Sequence, residues 1–525
     1  MSRLSRAAGL VSVGTLVSRV LGLLRDSVRA ALFGAGSISD ALDVAFKIPN
    51  LFRDLFAEGA FSGAFVPTLT RTQESDGKDA AFALLNRVLS TMLVYVGALC
   101  GLLVAFAPGI VRLITADAFV EESGAFDATV RLVRVLAPFL LFICLAVAAM
   151  GALNVRGRFF VPALSPATQN LVLVAGGLAL CAVVVLPAER ALPYAFLLLV
   201  GGLSQFLVQL PSLWREGWRP RFAPDLRFRA PETRQILRRM LPVAAGLAAT
   251  HVSILVNTRL ATGDEGGTSN LYYAFRLVHL PVGLVGVAVG TVVLAEASRR
   301  VAQRDAAGLK RTVSEALLLN FALAAPAAAG LLALGGPIAK LLFQWGDHMT
   351  PERTAAVGRT IAWFAPAVVF YCAVKVVVPV FYAQGRVRVP VLASFVAVAA
   401  NVACALALHP SLRWNGLALA VGAGQAANLA LLLFVLRRET GPAAAPVLGR
   451  FARLALASGV CGAAAWGAAS LFPDAPGAGA RALRCLVPVA AGAAAYGAAL
   501  VALRCPEARR LRDLVRRLDR GRNRT

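Results

Sequence analysis

The sequence predicts an all-α polytopic membrane protein of fourteen transmembrane helices, arranged as two pseudo-symmetric six-helix lobes plus two C-terminal helices. Three observations predict it. Of 525 residues, 58% are hydrophobic, with a mean hydropathy of +0.70, whereas a soluble domain is about 45–50% apolar. Apolar runs of roughly 18 residues or more, each enough to cross about 30 Å of hydrocarbon, recur along the whole chain. The chain also repeats itself. Residues 44–71 (VAFKIPNLFRDLFAEGAFSGAFVPTLTR) align without gaps to 273–300 (YAFRLVHLPVGLVGVAVGTVVLAEASRR) at offset 229. Independently, 157–164 (GRFFVPAL) align to 385–392 (GRVRVPVL) at offset 228. Two matches at nearly one offset imply a duplication of about six spans. An even number of spans keeps both halves in the same orientation, so the repeat is parallel, about an axis along the membrane normal. In transporters built this way the substrate site lies near the midplane at the interface of the repeats.

In chain order, the first lobe (1–213) holds spans 9–33, 38–67, 84–110, 129–153, 160–186 and 192–213. The N-terminal segment is no cleavable signal peptide, because arginines interrupt what would be its apolar stretch. A basic linker, 214–239, leads to the second lobe (240–437), with spans 240–262, 269–297, 313–335, 354–383, 388–408 and 415–437. Spans 449–472 and 482–503 fall outside the duplication. Their small residues (LALASGVCGAAAWGAAS) suit either close helix packing or a groove for a lipid tail. Gly459, Gly462, Ala463, Gly467, Gly492 and Ala493 are the positions in question. The tail, 504–525, is basic, and Leu511, Leu514, Val515 and Leu518 fall on one helical face, as in an interfacial helix.

The net charge of +25 would point to nucleic acid on a soluble protein. Here the loops account for it. Loops 154–158, 214–239, 298–311, 384–388 and 437–450 and the tail are basic, whereas 34–37, 116–127 and 262–268 are neutral or acidic. The positive-inside rule places the first set, and both termini, in the cytoplasm. No nucleic-acid partner is expected. The eight cysteines form no CxxC and read as small packing residues. The four histidines have no ligand spacing, so neither metal nor cofactor is expected. No GxxxxGK[ST] occurs, which leaves an ion gradient, the membrane potential or consumption of a substrate outside as the energy source.

The most informative stretch is 42–69, LDVAFKIPNLFRDLFAEGAFSGAFVPTL. It carries Asp43, Lys47, Arg53, Asp54 and Glu58 inside apolar sequence, although each charge at bilayer depth costs about 2.5–3.5 kcal/mol on insertion scales. At about 100° per residue, Asp40, Asp43, Lys47, Asn50, Asp54 and Glu58 share one stripe, with Arg53 beside it. Leu42, Ile48, Leu55 and Phe56 face the other way, and Pro49 bends the helix. In the second copy only Arg276, opposite Lys47, stays charged; Val282, Gly283 and Val287 stand opposite Arg53, Asp54 and Glu58. This asymmetry points to a cavity lined with charge mainly by the first half. In span 1, Arg19 and Asp26 lie seven apart on one face, with Gly22 between them. Arg19, Arg25, Arg53 and Arg276 thus form a candidate cationic set. Arginine's fork is the preferred donor to phosphate oxygens, so an anionic head group, a phosphate or pyrophosphate, is the simplest ligand. The competing reading is that these arginines pair with Asp26, Asp40, Asp54 and Glu58, or snorkel to the surface.

SRVLGLLRD, FGAGSISDALDVAFKIPNLFRDLFAEGAFSGAFVP, YYAFRLVHLPVGLVGVAVGT and VKVVVPVFYAQGRVRVPV together resemble the lipid II flippases of the MurJ (MviN) type, in the multidrug/oligosaccharidyl-lipid/polysaccharide exporter superfamily. The resemblance covers nearly the whole chain. It implies a central cationic cavity, alternating access and export of lipid II, the lipid-linked peptidoglycan precursor, across the bacterial inner membrane for cell wall synthesis. Its implied partners are lipid II, membrane lipids and other cell wall synthesis proteins. It implies that Arg19, Arg25, Arg53 and Arg276 are functional cavity arginines and that Asp40 and Glu58 act near the cavity and gate. Asp26, Lys47, Asn50 and Asp54 support the cavity or its gating, and the last two spans hold the polyprenyl tail. The chain departs from the family at Phe275, where some members carry an acid beside the arginine. Spans 10–12 lack Asp or Glu in the membrane core, so the sodium coupling of some members loses its acidic residues here, leaving Asn401 as the main polar candidate.

Rival readings differ in kind. Another polyprenyl-oligosaccharide exporter or a drug exporter of the superfamily would share the fold. Drug exporters, however, favour twelve spans and acidic cavities. An enzyme acting on polyprenyl phosphate would want clustered acids binding a divalent metal, and no DxD-type loop cluster is present. A membrane scaffold explains the spans but not the charged stripe.

Overall fold

The computed structural model describes residues 3–57, 60–121, 124–184, 186–440, 445–472 and 477–508. Within these, the side chains of 3–13, 15, 52, 54–57, 60, 187, 242–250, 439–440 and 445–446 lie outside the description. Every regular element among the described residues is helical. The chain runs through α1 (Arg3–Phe33), α2 (Ser37–Ala57), α3 (Ala60–Ala105), α4 (Ala107–Ile114), α5 (Asp117–Glu121), α6 (Ala125–Val155), α7 (Phe160–Val183), α8 (Pro187–Leu207), α9 (Leu210–Arg215) and α10 (Pro231–Ala261). It continues through α11 (Gly267–Pro281), a π-helical turn (Val282–Gly286), α12 (Val287–Ala302), α13 (Ala306–Phe343), α14 (Pro351–Ala383), α15 (Arg388–Leu412), α16 (Trp414–Thr440), α17 (Ala445–Ser470) and α18 (Ala478–Ala502).

Among the described residues, eleven helical segments are long and apolar enough to cross a membrane. They match eleven of the fourteen expected spans. The other three expected spans (9–33, 38–67 and 240–262) coincide with helix in α1, in α2 and the start of α3, and in α10. Of the expected span 38–67, the described residues are helical, in α2 to Ala57 and in α3 from Ala60; Glu58 and Gly59 lie outside the described residues. α3 is itself two helices joined at Gly77, whose φ of 89° and ψ of −178° break the helical path. That φ is one a side chain would strain. The basic tail beyond residue 508 lies outside the described residues.

The chain divides into two compact units, the described parts of Met1–Ser269 with Phe343–Thr350, and of Asn270–Leu342 with Pro351–Thr525. In the first, α2 lays its apolar face on α6. Leu42, Val44, Ala45 and Ile48 are buried in one core with Leu136 and Leu140, and the rings of Phe46 and Phe139 meet at 5.0 Å. α1 packs on α7, where a side chain at Gly177 would stand 2.6 Å from Val28 Cγ1. In the second unit, α12 to α16 share a core around Val376, Val380, Phe381 and Leu432. α17 and α18 pack on α13 through Leu318, Ala322, Leu454, Ala457 and Tyr496, and the Tyr496 hydroxyl donates to the Ala322 carbonyl at 2.6 Å.

The basic loop 298–311 is locked by its own charges. Asp305 caps α13 by accepting the Gly308 amide at 2.7 Å, a stabilising arrangement at a helix start. It also takes a hydrogen bond from Arg300 at 2.9 Å. The Gly308 amide first, and Arg300 second, hold the Asp305 carboxyl below its ordinary value of 3.8. Because the folded-state value is depressed, the stabilisation is fully present above the ordinary value and is lost as pH falls through the lower one. Asp305→Ala is therefore expected to lower the melting temperature in detergent at neutral pH. The gap from the parent should close as pH is taken below 4, roughly the unperturbed carboxylate value. A gap independent of pH would show that the carboxylate charge is not what matters.

Candidate functional site

The described charges of the α2 stripe, Asp40, Asp43 and Lys47, are buried or half-buried, and each has a partner, as burial requires. Asp40 sits at the first turn of α2, 2% exposed. Its Oδ2 accepts the Gly266 amide at 2.6 Å. Its Oδ1 accepts the Thr268 hydroxyl at 2.7 Å, the Ser269 amide at 2.8 Å and the Ser269 hydroxyl at 2.5 Å. One carboxylate thus ties the start of α2 to the start of α11, satisfying amides that a helix N-terminus leaves open with the charge its dipole favours. Asp43 accepts Arg29 Nη1 at 2.7 Å, and Arg29 Nη2 also reaches the Ser39 carbonyl and hydroxyl at 3.2 and 3.1 Å. Arg29 is thus a strut between α1 and α2. Lys47 Nζ donates to the Thr258 hydroxyl of α10 at 2.9 Å. Asn50 is half-buried, and its Oδ1 has no hydrogen-bond partner.

On α1, Arg25 Nε and Nη2 both reach Asp26 Oδ1, at 3.0 and 2.7 Å. Arg25 Nη1 donates to Asn170 Oδ1 of α7 at 3.0 Å, and Asn170 Nδ2 returns to the Ser18 carbonyl at 3.0 Å. Arg25 therefore joins α1 to α7 through Asn170, its guanidinium held by the buried Asp26 carboxylate of its own helix. Arg19 and Arg53 are half-buried. The Asp54 side chain and all of Glu58 lie outside the described residues. In the first half, Arg25, Arg29, Asp40, Asp43 and Lys47 thus make hydrogen bonds across helices.

In the second unit, Arg276 lies on an exposed face of α11. Phe275, where some relatives carry an acid, lays its ring on His279 at 3.7 Å between centroids. His279 in turn meets Tyr371 of α14 edge-on at 5.0 Å. His279 is within electrostatic reach of both Arg276 and Lys375. Lys375 is the residue that sequence reasoning missed. It lies inside the apolar span of α14, exposed, one turn from Tyr371. Its backbone is approached closely by α12. A side chain at Gly290 would stand 2.4 Å from the Lys375 carbonyl, and one at Gly286 would stand 3.1 Å from Cys372 Cα. The signal was available as the one charge within residues 360–383, which at membrane depth is a functional candidate by default. The π-helical turn Val282–Gly286 follows Pro281. A proline lacks the amide that would bond four residues back, and widening to a π turn absorbs the lost bond. Among the described residues, no group of three or more His, Cys, Asp or Glu could hold a metal ion.

A family model described as "Lipid II flippase MurJ" matches residues 29–481. The chain belongs to the lipid II flippase MurJ family. It is 34% identical over 468 residues to a "Probable lipid II flippase MurJ" of Rhizobium meliloti (strain 1021), covering 86% of this chain and 84% of that protein. It is 33% identical over 441 residues to a "Lipid II flippase MurJ" of Burkholderia cenocepacia, covering 83% and 84%. The fold is that of a solved "Lipid II flippase MurJ, inward closed conformation", with a TM-score of 0.78 at 22% identity, over 96% of this chain and 99% of that one. MurJ family membership and the many apolar helices together make the chain a multi-pass membrane protein.

Proposed function

We propose that the chain moves lipid II from the cytoplasmic to the outer leaflet of the bacterial inner membrane by alternating access, supplying cell wall synthesis. Membership of the lipid II flippase MurJ family across residues 29–481 carries this reading. The buried charges of α1 and α2 agree with it, since a chain that keeps them in spanning helices is using them. Transport asks for no bond to be made or broken, so no catalytic role is assigned to any residue. The rival, an exporter of a different polyprenyl-linked oligosaccharide or of a drug, has no observation in its favour.

In this reading Arg19, Arg25, Arg53 and Arg276 meet the diphosphate of the substrate. Asp26, Asp40, Lys47, Asn50, Asp54 and Glu58 hold those arginines or act in gating. Residues 1–213 and 240–437 are the two lobes, joined by a basic cytoplasmic linker, 214–239. Both termini are cytoplasmic, and the tail, 504–525, lies on that surface. Other cell wall synthesis proteins are natural partners. Depletion of the chain in its host, followed by assay of labelled lipid II on each face of the membrane, tests the proposal. Accumulation on the inner face supports it, and normal delivery to the outer face contradicts it.

The last two helices, 449–503, hold the polyprenyl tail in the same proposal. A long tail is stabilised by about 0.8 kcal/mol per buried CH₂ only where it meets apolar surface, so it needs an apolar path beside the lobes. The small residues divide into two kinds. A side chain at Gly462 would stand 3.3 Å from Ala329, and one at Gly492 would stand 3.0 Å from the Cys461 carbonyl, so both serve close packing. Gly459 and Gly467 have nothing within 4 Å. Gly467→Trp is expected to impair export of full-length lipid II while sparing binding of a short-chain analogue. Equal effects on the two, or no effect, would place the tail elsewhere.

A further inference from the structure

The stretch between α9 and α10 is a built element. Its backbone is fastened along one side of α3. Asn86 Nδ2 donates to the Arg219 carbonyl at 2.9 Å, and Asn86 Oδ1 accepts the Trp218 Nε1–H at 2.9 Å. The Ala223 amide donates to the Ser90 hydroxyl at 3.0 Å, and the Asp225 amide to the Thr91 hydroxyl at 2.9 Å. The Tyr95 hydroxyl donates to the Leu226 carbonyl at 2.5 Å, and the Tyr95 and Phe228 rings stack at 5.4 Å. Asp225 then turns the chain into α10 by accepting the Arg229 and Ala230 amides at 2.9 and 3.0 Å. Burial raises the Asp225 carboxyl, but these amides, Thr233 and Arg87 outweigh it, and the net shift is downward.

The result is a rigid strap with its charges sorted. Residues 214–239 hold eight arginines and three acids. Each acid is engaged: Glu216 with Arg158 at 2.8 Å, Glu232 with Arg87 at 3.5 Å, and Asp225 with backbone amides. All eight arginines (215, 219, 221, 227, 229, 234, 238 and 239) are exposed. Between them Trp214, Phe222 and Leu226 stand out at 45%, 69% and 47% exposure. Exposed arginines interleaved with exposed apolar side chains, on a backbone fastened to α3, complement an anionic lipid surface.

We propose that the 214–239 strap is a docking surface for anionic phospholipid head groups of its own leaflet. It rests on the reading that the basic loops are cytoplasmic. Phosphates meet the arginines while Trp214, Phe222 and Leu226 enter the interface. The intact protein in detergent, titrated with phosphatidylglycerol or phosphatidylcholine and followed by native mass spectrometry, tests this. The parent should prefer phosphatidylglycerol. R219Q/R221Q/R227Q/R229Q should bind it at least about twentyfold more weakly, several basic residues near an anionic surface having been removed. R386Q/R388Q, in another basic loop, should not. Unchanged binding by the fourfold variant, equal loss in R386Q/R388Q, or no lipid preference in the parent would each overturn the proposal. Should the fourfold variant fail to fold, the pairs R219Q/R221Q and R227Q/R229Q carry the test separately. Labelling of R221C by an impermeant maleimide in spheroplasts, above that of the parent, would overturn the cytoplasmic placement on its own, independently of lipid binding.

Discussion

Replacing Arg19, Arg53 or Arg276 by Ala is expected to abolish complementation of a flippase-depleted strain while leaving expression unchanged. Arg29 is nearly fully buried as a strut to Asp43 and Arg25 reaches Asn170 of α7, whereas Arg19 and Arg53 are half-buried and Arg276 is exposed. Arg276 is also the sole charge of 44–58 that persists in kind in the second copy of the repeat, opposite Lys47. Truncating one partner of a desolvated charge pair costs about 2–5 kcal/mol, or roughly thirtyfold and more in substrate affinity. Lys substitutions should rescue only partly, because a point charge does not reproduce a bidentate fork on a diphosphate. Normal growth of two of the three Ala variants would remove the cationic-cavity idea.

Asp40→Asn should have the second-largest effect, of a different kind. The carboxylate accepts four hydrogen bonds that tie α2 to the start of α11. An amide of the same shape carries no charge and can accept through only one of its two heads. Hydrogen bonds to charged groups contribute about 1.5–3 kcal/mol, so loss of even one is felt at the junction of the two helices. Transport should slow more than lipid II binding weakens, because the contact joins helices rather than meeting a head group. Glu58→Gln should act in the same direction. Equal losses of binding and transport in both variants would instead make these acids part of the substrate site.

The helical class and most spans could be read in the sequence because a membrane span is a composition, and composition needs no contacts. The repeat was readable for a similar reason, since Lys47 and Arg276 keep their place in an unbroken alignment. What sequence could not supply was pairing. The stripe on α2 was visible, but Thr258 as the partner of Lys47 and residues 266–269 as the partners of Asp40 lie more than 200 positions away. Arg25 was grouped with the other arginines by residue type, whereas its geometry depends on Asn170, a residue with no pattern of its own. The basic linker was visible as charge but not as a strap, because its order comes from Asn86, Ser90, Thr91 and Tyr95. These four lie on a helix read only as a span. Lys375 has no mark in the repeat, because it lies between the two aligned segments of the second copy, 273–300 and 385–392.

The most direct measurement is translocation by the purified chain alone. Proteoliposomes carrying fluorescent lipid II in both leaflets would be treated with an impermeant quencher, in the presence of the chain and of an Arg276→Ala control. The account predicts that the chain makes the inner-leaflet pool accessible within the assay, and that the control leaves it protected while inserting normally. Protection of the inner pool with the parent chain, or equal exposure with Arg276→Ala, would contradict it.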